Sequence, residues 1–469
     1  MPTPENRSYT EYLTDIIRQI GKMPLSDAVL EKVGMCLLDH LAAVYSAAKG
    51  PVARIGCRVV NAFGDGNCTL IGSNEKASTI GAAFYNALLA TSEDIDDAHR
   101  YASGLHMGAT TFPALFALAD SDATITGERF LRAILVGYEI SSRIVRAADA
   151  AIRERGFHST GPAGVFGACA ASASLLGLSS QNTVNALGIA ASASGGLFAF
   201  LKEGCSVRHA HAAWACANGI QAVLLARAGM TGPRFILEGY ENNRDGWLNA
   251  YAGKWDESLL LAPLGRLEIQ NAYHKMHATC GHATPAITAL QILRNRVLPH
   301  KDEIASIVIK GYKASAALNN PWPQSISEAK FSLPFIAGVI LLYGQATLRE
   351  MVPAALENAE IHRIASLVRV VEDPDIAASF PRLRAGEVII TFTDGKVLSQ
   401  RVDAPLGMPE NPVSLDVIEA KFRNAAEDLL PRDRQDKIIA MVHNLESLAS
   451  TKNFVAQLAS IPGLKAKLA

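Results

Sequence analysis

The stretch GPAGVFGACAASASLLGL, residues 161–178, is apolar almost throughout yet built mainly from Ala, Gly, Ser and Cys. Side chains this small let two helix backbones approach closely, so the segment belongs at the centre of a helical pack. The same economy runs through the chain. Hydrophobic residues make up 49% of it but aromatics only 7%, so the cores are built from Ala, Leu, Ile and Val. At 469 residues the chain exceeds one ordinary core, which implies two or three domains.

Helical periodicity dominates the first 265 residues. In PLSDAVLEKVGMCLLDHLAAVYSAA, Ser26 fits an N-cap, and Val29, Val33, Leu37 and Leu41 recur at i+4 along one face. Similar patterning predicts helices over 79–92, 113–120, 128–150 and 161–178. After about residue 300 the character changes. IASIVIKGY (304–312) and GEVIITFTDGKVLSQRVDAP (386–405) are rich in β-branched residues, and Asp394-Gly395 is the pair expected in a type I′ hairpin. Helical stretches at 328–346 and 354–365 lie between them, and the tail from Ser414 returns to helix. The expected fold class is mainly α. A large all-helical domain is built from both chain ends, 1–265 and 402–469, and a smaller α/β lid domain, 266–401, is inserted.

Charge and cysteine usage exclude several classes. With 44 basic and 45 acidic residues the net charge is −1, so there is no electrostatic case for nucleic acid or an anionic membrane. The seven cysteines are scattered without a CxxC, which argues against a disulfide framework or a zinc ribbon. The N-terminal segment carries Glu11 and Asp15 and has no apolar signal core, and the run LPFIAGVILLYG is too short for a bilayer crossing. A cytoplasmic location is expected. No GxGxxG, GxxxxGK[ST] or GxSxG occurs, so dinucleotide, P-loop and nucleophile-elbow chemistry have no local support.

Four polar segments remain. In SEDIDDAHRYASGLHMG (92–108) a helical start would put Asp94 and Asp97 on one face and turn Asp96 away, although the spacing equally fits a helix end running into a solvated loop. In RGFHSTGP (155–162) His158 precedes a helix start marked by Ser159, Thr160 and Pro162. In CSVRHAHAAWACANG (205–219) Arg208, His209 and His211 open an Ala-rich helix, where orphan N–H groups and a cation suit a carboxylate. NAYHKMHATCGHATP (271–285) offers Lys275, His277 and His282, which face one cavity if the segment is irregular. His209/His211 and His274/His277 supply enough imidazoles for zinc or iron, but HxH on a helix splays its rings and no carboxylate sits at ligand spacing. No metal is expected. Acids, histidines, an arginine and a lysine together suit proton transfer on an anionic substrate.

At these segments the sequence resembles the MmgE/PrpD family, which includes 2-methylcitrate dehydratases, cis-aconitate decarboxylases and iminodisuccinate epimerase. SEAKFSLPF (327–335), PLGMPENPVSLDVIEAKFR (405–423), GFHSTGPAGVFGACAAS (156–172) and LLDHLAAVYSA (37–47) carry the resemblance. It implies a homodimer that needs no metal and no organic cofactor. Carried over by position, the family's aspartate-rich segment begins at Asp94, the histidine seven residues before the next proline, Pro113, falls on His106, and the GFH histidine is His158. Arg208 stands in a lysine position with His211 after it, and Lys275 and Cys280 fill the lysine and cysteine positions of the opening of the C-terminal half. Four departures lie among them, the first being LHMG (105–108) where HPS is more usual. Ala98 replaces a common threonine, Arg208 replaces lysine, and Thr284 stands where a histidine is usual, with His282 two residues earlier.

The resemblance therefore implies a lyase acting on a small di- or tricarboxylate by proton abstraction next to a carboxylate, with Asp94, His106, His158 and Lys275 as catalytic candidates. Arg208, His211, His277, Cys280 and His282 are the substrate-binding candidates. Dehydration of the 2-methylcitrate type is expected from family frequency. Epimerisation, cis-aconitate-type decarboxylation and a non-catalytic carboxylate-binding relative are the alternatives.

Overall fold

Small side chains set the packing of the helices. The computed structural model describes residues 7–203, 205–240 and 245–460, so the extreme ends of the expected helical domain, 1–6 and 461–469, lie outside the described residues. Helix accounts for 58% and strand for 9%, so the fold is mainly α; besides a small four-stranded mixed sheet, Cys68–Thr69 pairs antiparallel with Lys76–Ala77, so the domain expected to be all-helical is not entirely so. The chain divides into two compact units: Met1–Phe200, Val207–Ala272 and Ser414–Ala469 form one, and Leu201–Ser206 with Tyr273–Val413 the other.

In the first unit the helix Thr160–Leu175 is buried along nearly its whole length and packs against Gly127–Glu154 and Val207–Arg227. At Gly219 a side-chain carbon would stand 2.6 Å from Ala168 Cβ and 2.8 Å from the Cys169 nitrogen, so the two backbones meet there with no room for a methyl group. The helix expected to begin at Pro113 instead runs Met107–Ser121, with Pro113 inside it. A proline that reads as a first-turn residue is tolerated in mid-helix here, and the true N-cap moves back to His106. Ser26 does stand at the N-cap of Asp27–Ala47, but its side chain makes no capping hydrogen bond.

The C-terminal segment completes this unit. Helix Leu415–Ala426 lies along Asp27–Ala47, with the Phe422 and Tyr45 rings edge to face at 5.9 Å. The Tyr45 hydroxyl donates to the Leu458 carbonyl at 2.8 Å. Fully burying a ring such as Phe422 contributes about 1.5–3 kcal/mol, which anchors a helix that is otherwise half polar.

The second unit contains the four-stranded sheet. Its central strand, Ile304–Gly311, runs parallel to Val368–Glu372 and antiparallel to Gly386–Phe392, which in turn pairs antiparallel with Val397–Val402. Val388, Ile390 and Phe392 alternate inward, and helix Thr284–Val297 covers the two C-terminal strands. The hairpin turn is not type I′. Gly395 alone takes a positive φ, 84°, and Gly395 N–H donates to the Phe392 carbonyl at 3.0 Å. The Asp394 carboxylate accepts from the Lys396 N–H at 2.9 Å, which holds Asp394 in an ordinary conformation and leaves only the glycine left-handed. Among the described residues no helix is long and apolar enough to cross a membrane.

Gly219→Ala tests the close helix approach. Alanine improves helix propensity by about 1 kcal/mol, but forcing a methyl group against a backbone nitrogen costs about 1–3 kcal/mol. The expected result in urea denaturation is net destabilisation, and a more stable variant would contradict the packing described.

Candidate active site

The aspartate segment is not helical. Residues 91–97 form turns and irregular backbone, and Asp94 has φ 61°, the only positive φ at a non-glycine among the described residues. This removes the expected i,i+3 face. Asp94, Asp96 and Asp97 are each exposed by 2% or less, so the solvated-loop alternative also fails. The irregular path points the three carboxylates at three different partners. Asp94 Oδ2 lies 2.9 Å from Arg208 Nη1, and Arg208 Nη2 donates to the Thr91 carbonyl at 2.7 Å. Asp97 accepts from the Tyr138 hydroxyl at 2.7 Å and from the Gly108 N–H at 3.2 Å. Asp96, expected to point elsewhere, brings Oδ2 to 2.8 Å from His106 Nδ1.

His106 Nδ1 also lies 3.1 Å from the Asp97 carbonyl, and it is this line that has hydrogen-bond geometry, with the Asp96 carboxylate approaching as a charge contact. Two acceptors at one nitrogen require the proton to sit on Nδ1. Nε2 is then the ring atom left for proton exchange. The His106 backbone N–H donates to Thr160 Oγ1 at 3.1 Å, and the Thr160 hydroxyl donates to the Gly104 carbonyl at 2.7 Å, which ties the start of one helix to the start of the next.

Three helix N-termini supply the imidazoles. His106 is the N-cap of Met107–Ser121, His158 lies two residues before Thr160–Leu175, and His211 is in the first turns of Val207–Arg227. The His106 and His158 rings are 6.2 Å apart, and His158 Nδ1 lies 3.1 Å from His211 Nδ1. In that contact one ring donates and the other accepts, so the pair cannot carry two Nδ1 protons. Burial pushes His158 well below the usual histidine range, and the charges of His106, His211 and Arg208 act in the same direction. Burial followed by the Arg208 charge lowers His211 to about 4. Phe198 and Phe200 wall the pair, with ring centres 5.2 Å and 5.5 Å from His158.

Burial and the neighbouring Asp39 charge raise Asp97 to about 7, against the pull of the Tyr138 and Gly108 hydrogen bonds. A side-chain carbon at Gly108 would stand 2.5 Å from Asp97 Oδ1, so this carboxylate is reached only because that residue has none. Downstream, His99 Nδ1 accepts from the Tyr101 and Ala102 N–H groups at 3.1 Å and 2.9 Å, while Nε2 donates to Glu268 Oε2 at 2.9 Å. Burial alone would raise Glu268. The His99 hydrogen bond, the charge of Arg146 and the Asn271 amide outweigh it and hold Glu268 at about 2. His99 thereby pins the loop that leads into His106.

In the second unit Lys275 is buried, at 4% exposure. His277 Nδ1 accepts from the Ala346 N–H at 3.3 Å, and burial lowers this histidine to about 4 despite Gln291 and Glu350. The Cys280 N–H donates to the Lys330 carbonyl at 2.9 Å. His282 Nδ1 lies 2.8 Å from the Tyr312 hydroxyl, and Thr284 donates to the Gly281 carbonyl at 3.0 Å. Among the described residues no group of three or more His, Cys, Asp or Glu is placed to hold a metal ion.

The sequence candidates Asp94, His106, His158, Arg208 and His211 thus gather in one cluster of the first unit. Asp96, Asp97, Tyr138 and Thr160 belong to it as well. Asp96 and Asp97 were visible only as neighbours of Asp94, and nothing in the sequence marked Tyr138. The cluster combines a carboxylate-bound imidazole, two neutral imidazoles, a guanidinium and three positive helix ends, a set that suits proton transfer on an anion.

The profile of the MmgE/PrpD N-terminal domain matches residues 11–259, and that of the MmgE/PrpD C-terminal domain matches residues 277–447. A cis-aconitate decarboxylase-like protein, oryM, of Aspergillus oryzae is 28% identical over 97% of this chain and 98% of its own length. The cis-aconitate decarboxylase of Homo sapiens is 27% identical over 94% and 92%, and that of Aspergillus terreus 27% identical over 90% and 89%.

The histidine pair makes stability sensitive to acid. The unfolded chain protonates His211 near its ordinary 6.5 and the folded chain only near 4, so between these values the unfolded state binds more protons. Stability falls as pH drops through that window. Asp97 acts with the opposite sign, since its folded value of about 7 exceeds its ordinary 3.8 and it loses stability as pH rises between them. His211→Asn should therefore show a smaller Tm loss between pH 6.5 and 4.5 than the natural protein. An equal or larger loss would refute the assignment.

Proposed function

The chain belongs to the MmgE/PrpD family, and from that premise we propose that it is a cofactor-independent lyase acting on a small polycarboxylate, with decarboxylation of a cis-aconitate-type acid as its reaction. The observation that carries this reading is the His106–Asp96 contact of 2.8 Å set beside the His158–His211 pair. Loss of CO2 leaves an electron pair on carbon that must take up a proton. His106 delivers it from Nε2, with Nδ1 held protonated by the Asp97 carbonyl and the Asp96 carboxylate compensating the ring's charge. The two neutral imidazoles orient the acid by hydrogen bonds without adding a competing proton source.

The carboxylates of the substrate are held by Arg208 and the three helix N-termini, which favour negative charge. Arg208 already pairs with Asp94, so a substrate carboxylate competes with an internal one at that position. The names of the curated relatives support decarboxylation over the dehydration expected from family frequency. Water loss and epimerisation pass through a similar carbanion and are separated by their products. The family resemblance assigns Lys275 to the same chemistry and implies a homodimer, and the scattered cysteines suit a reducing, cytoplasmic setting; Lys275→Met tests the first of these.

The test is proton NMR of metal-stripped protein in D2O with citrate-, methylcitrate-, aconitate- and aminosuccinate-type acids. Loss of CO2 from the aconitate type with one deuterium incorporated is the expected outcome. Water loss from the methylcitrate type would make the protein a dehydratase, and deuterium entry at one carbon without net loss an epimerase. No turnover until zinc or iron is restored would overturn the cofactor-independent reading. His106→Gln should lower kcat by about 10²–10⁴, and because the glutamine amide keeps a donor near Asp96 its Tm should fall less than that of His106→Ala. Arg208→Lys distinguishes a disabled site, which gains activity, from one adapted to its own substrate, which loses it.

A further inference from the structure

The C-terminal KFR tripeptide, residues 421–423, has no part in the chemistry above, yet its three side chains go to three separate places. Phe422 enters the core beside Tyr45, and Arg423 pairs at the surface with Asp436. Lys421 turns inward. Its ammonium lies 2.6 Å from Asp39 Oδ1 and also donates to the Ile95 carbonyl. Ile95 is the residue between Asp94, which holds Arg208, and Asp96, which meets His106.

We propose that Lys421 is a positioning residue for the candidate active site, gripping the aspartate loop at Ile95 so that Asp96 meets His106 and Asp94 meets Arg208. The geometry favours this over a simple counter-ion role. A counter-ion needs only the Asp39 carboxylate, which is fully buried. The Ile95 carbonyl is an uncharged second acceptor, and bonding it adds direction that charge neutralisation does not require. Direction is what this loop lacks by itself. Its backbone is irregular from 91 to 97, and Asp94 sits in a left-handed conformation, which is uncommon outside glycine although aspartate tolerates it better than most residues. Lys421 supplies that constraint from a regular helix, Leu415–Ala426, which is itself fixed along Asp27–Ala47. Asp27–Ala47 carries Asp39 itself, and Tyr138 bonds Asp97, at the end of the same loop, from Gly127–Glu154.

The inference rests on the proposed function for its kinetic readout but not for its structural one. Three variants separate the roles. Lys421→Met leaves Asp39 buried without its ammonium and should lower Tm. The double variant Asp39→Asn with Lys421→Met removes both charges and should recover most of that Tm. Lys421→Arg keeps a cation and a donor for Ile95. If Lys421 positions the loop, the double variant stays deficient in kcat, by about 10²-fold with KM little changed, although its Tm has returned. Lys421→Arg should then exceed it in kcat. Recovery of both Tm and kcat in the double variant would overturn the proposal and leave Lys421 as a counter-ion.

A second readout uses ring-labelled histidine NMR, with the His106 signal identified among the 12 histidines by its loss in His106→Gln. The expected result is a shifted or broadened His106 signal in the double variant with the His99 signal in place. An unmoved His106 signal would also overturn the proposal. If the natural protein turns over none of the acids, the proposed reaction fails, and the His106 signal still decides whether Lys421 positions the loop.

Discussion

Buried carboxylates govern the first unit. Asp39, Asp94, Asp96 and Asp97 are all withdrawn from water within one stretch of loop and the helix beside it. An isolated buried carboxylate costs several kcal/mol, so each must be met by a cation, a donor or a proton. Lys421 meets Asp39, Arg208 meets Asp94, His106 meets Asp96, and Tyr138 with the Gly108 N–H meets Asp97. Those partners come from helices far apart in sequence. Satisfying the acids therefore also fixes how the helices stand around the loop, and it explains why the loop leaves helical geometry so that three side chains diverge.

The same arrangement sets the character of the imidazoles. His158 and His211 share one contact at a distance that excludes two protons, and burial keeps both neutral. His106 differs because a carboxylate and a carbonyl converge on one of its nitrogens. Three chemically identical side chains thus become unlike through their surroundings. One is suited to carrying a proton and two to hydrogen bonding. Helix N-termini add fixed positive ends without adding a titrating group.

The second unit follows a more ordinary logic. Its sheet alternates inward and outward residues, and the helix Thr284–Val297 covers the apolar side of the two C-terminal strands. The histidines of its opening segment are engaged locally, His277 with Ala346 and His282 with Tyr312. Their abundance in the sequence reflects several separate local contacts at least as much as one shared site.

Local periodicity and composition were sufficient for the mainly helical character, for the positions of the helices over 79–92, 128–150 and 161–178, and for the β-branched runs that form strands, because each depends on neighbours within a few residues. The family motifs were equally legible, and they led to Asp94, His106, His158, Arg208 and His211. What local pattern did not contain was which acid meets which base. Asp96 read as the aspartate that points away, Pro113 concealed the helix start that makes His106 an N-cap, and the type I′ turn gave way to a side-chain hydrogen bond at Asp394. Lys421 and Asp39 stand 382 residues apart, a separation across which no spacing rule operates. Those pairings were decided only when the folded chain excluded water from the carboxylates, because only then did every unmet charge carry a cost.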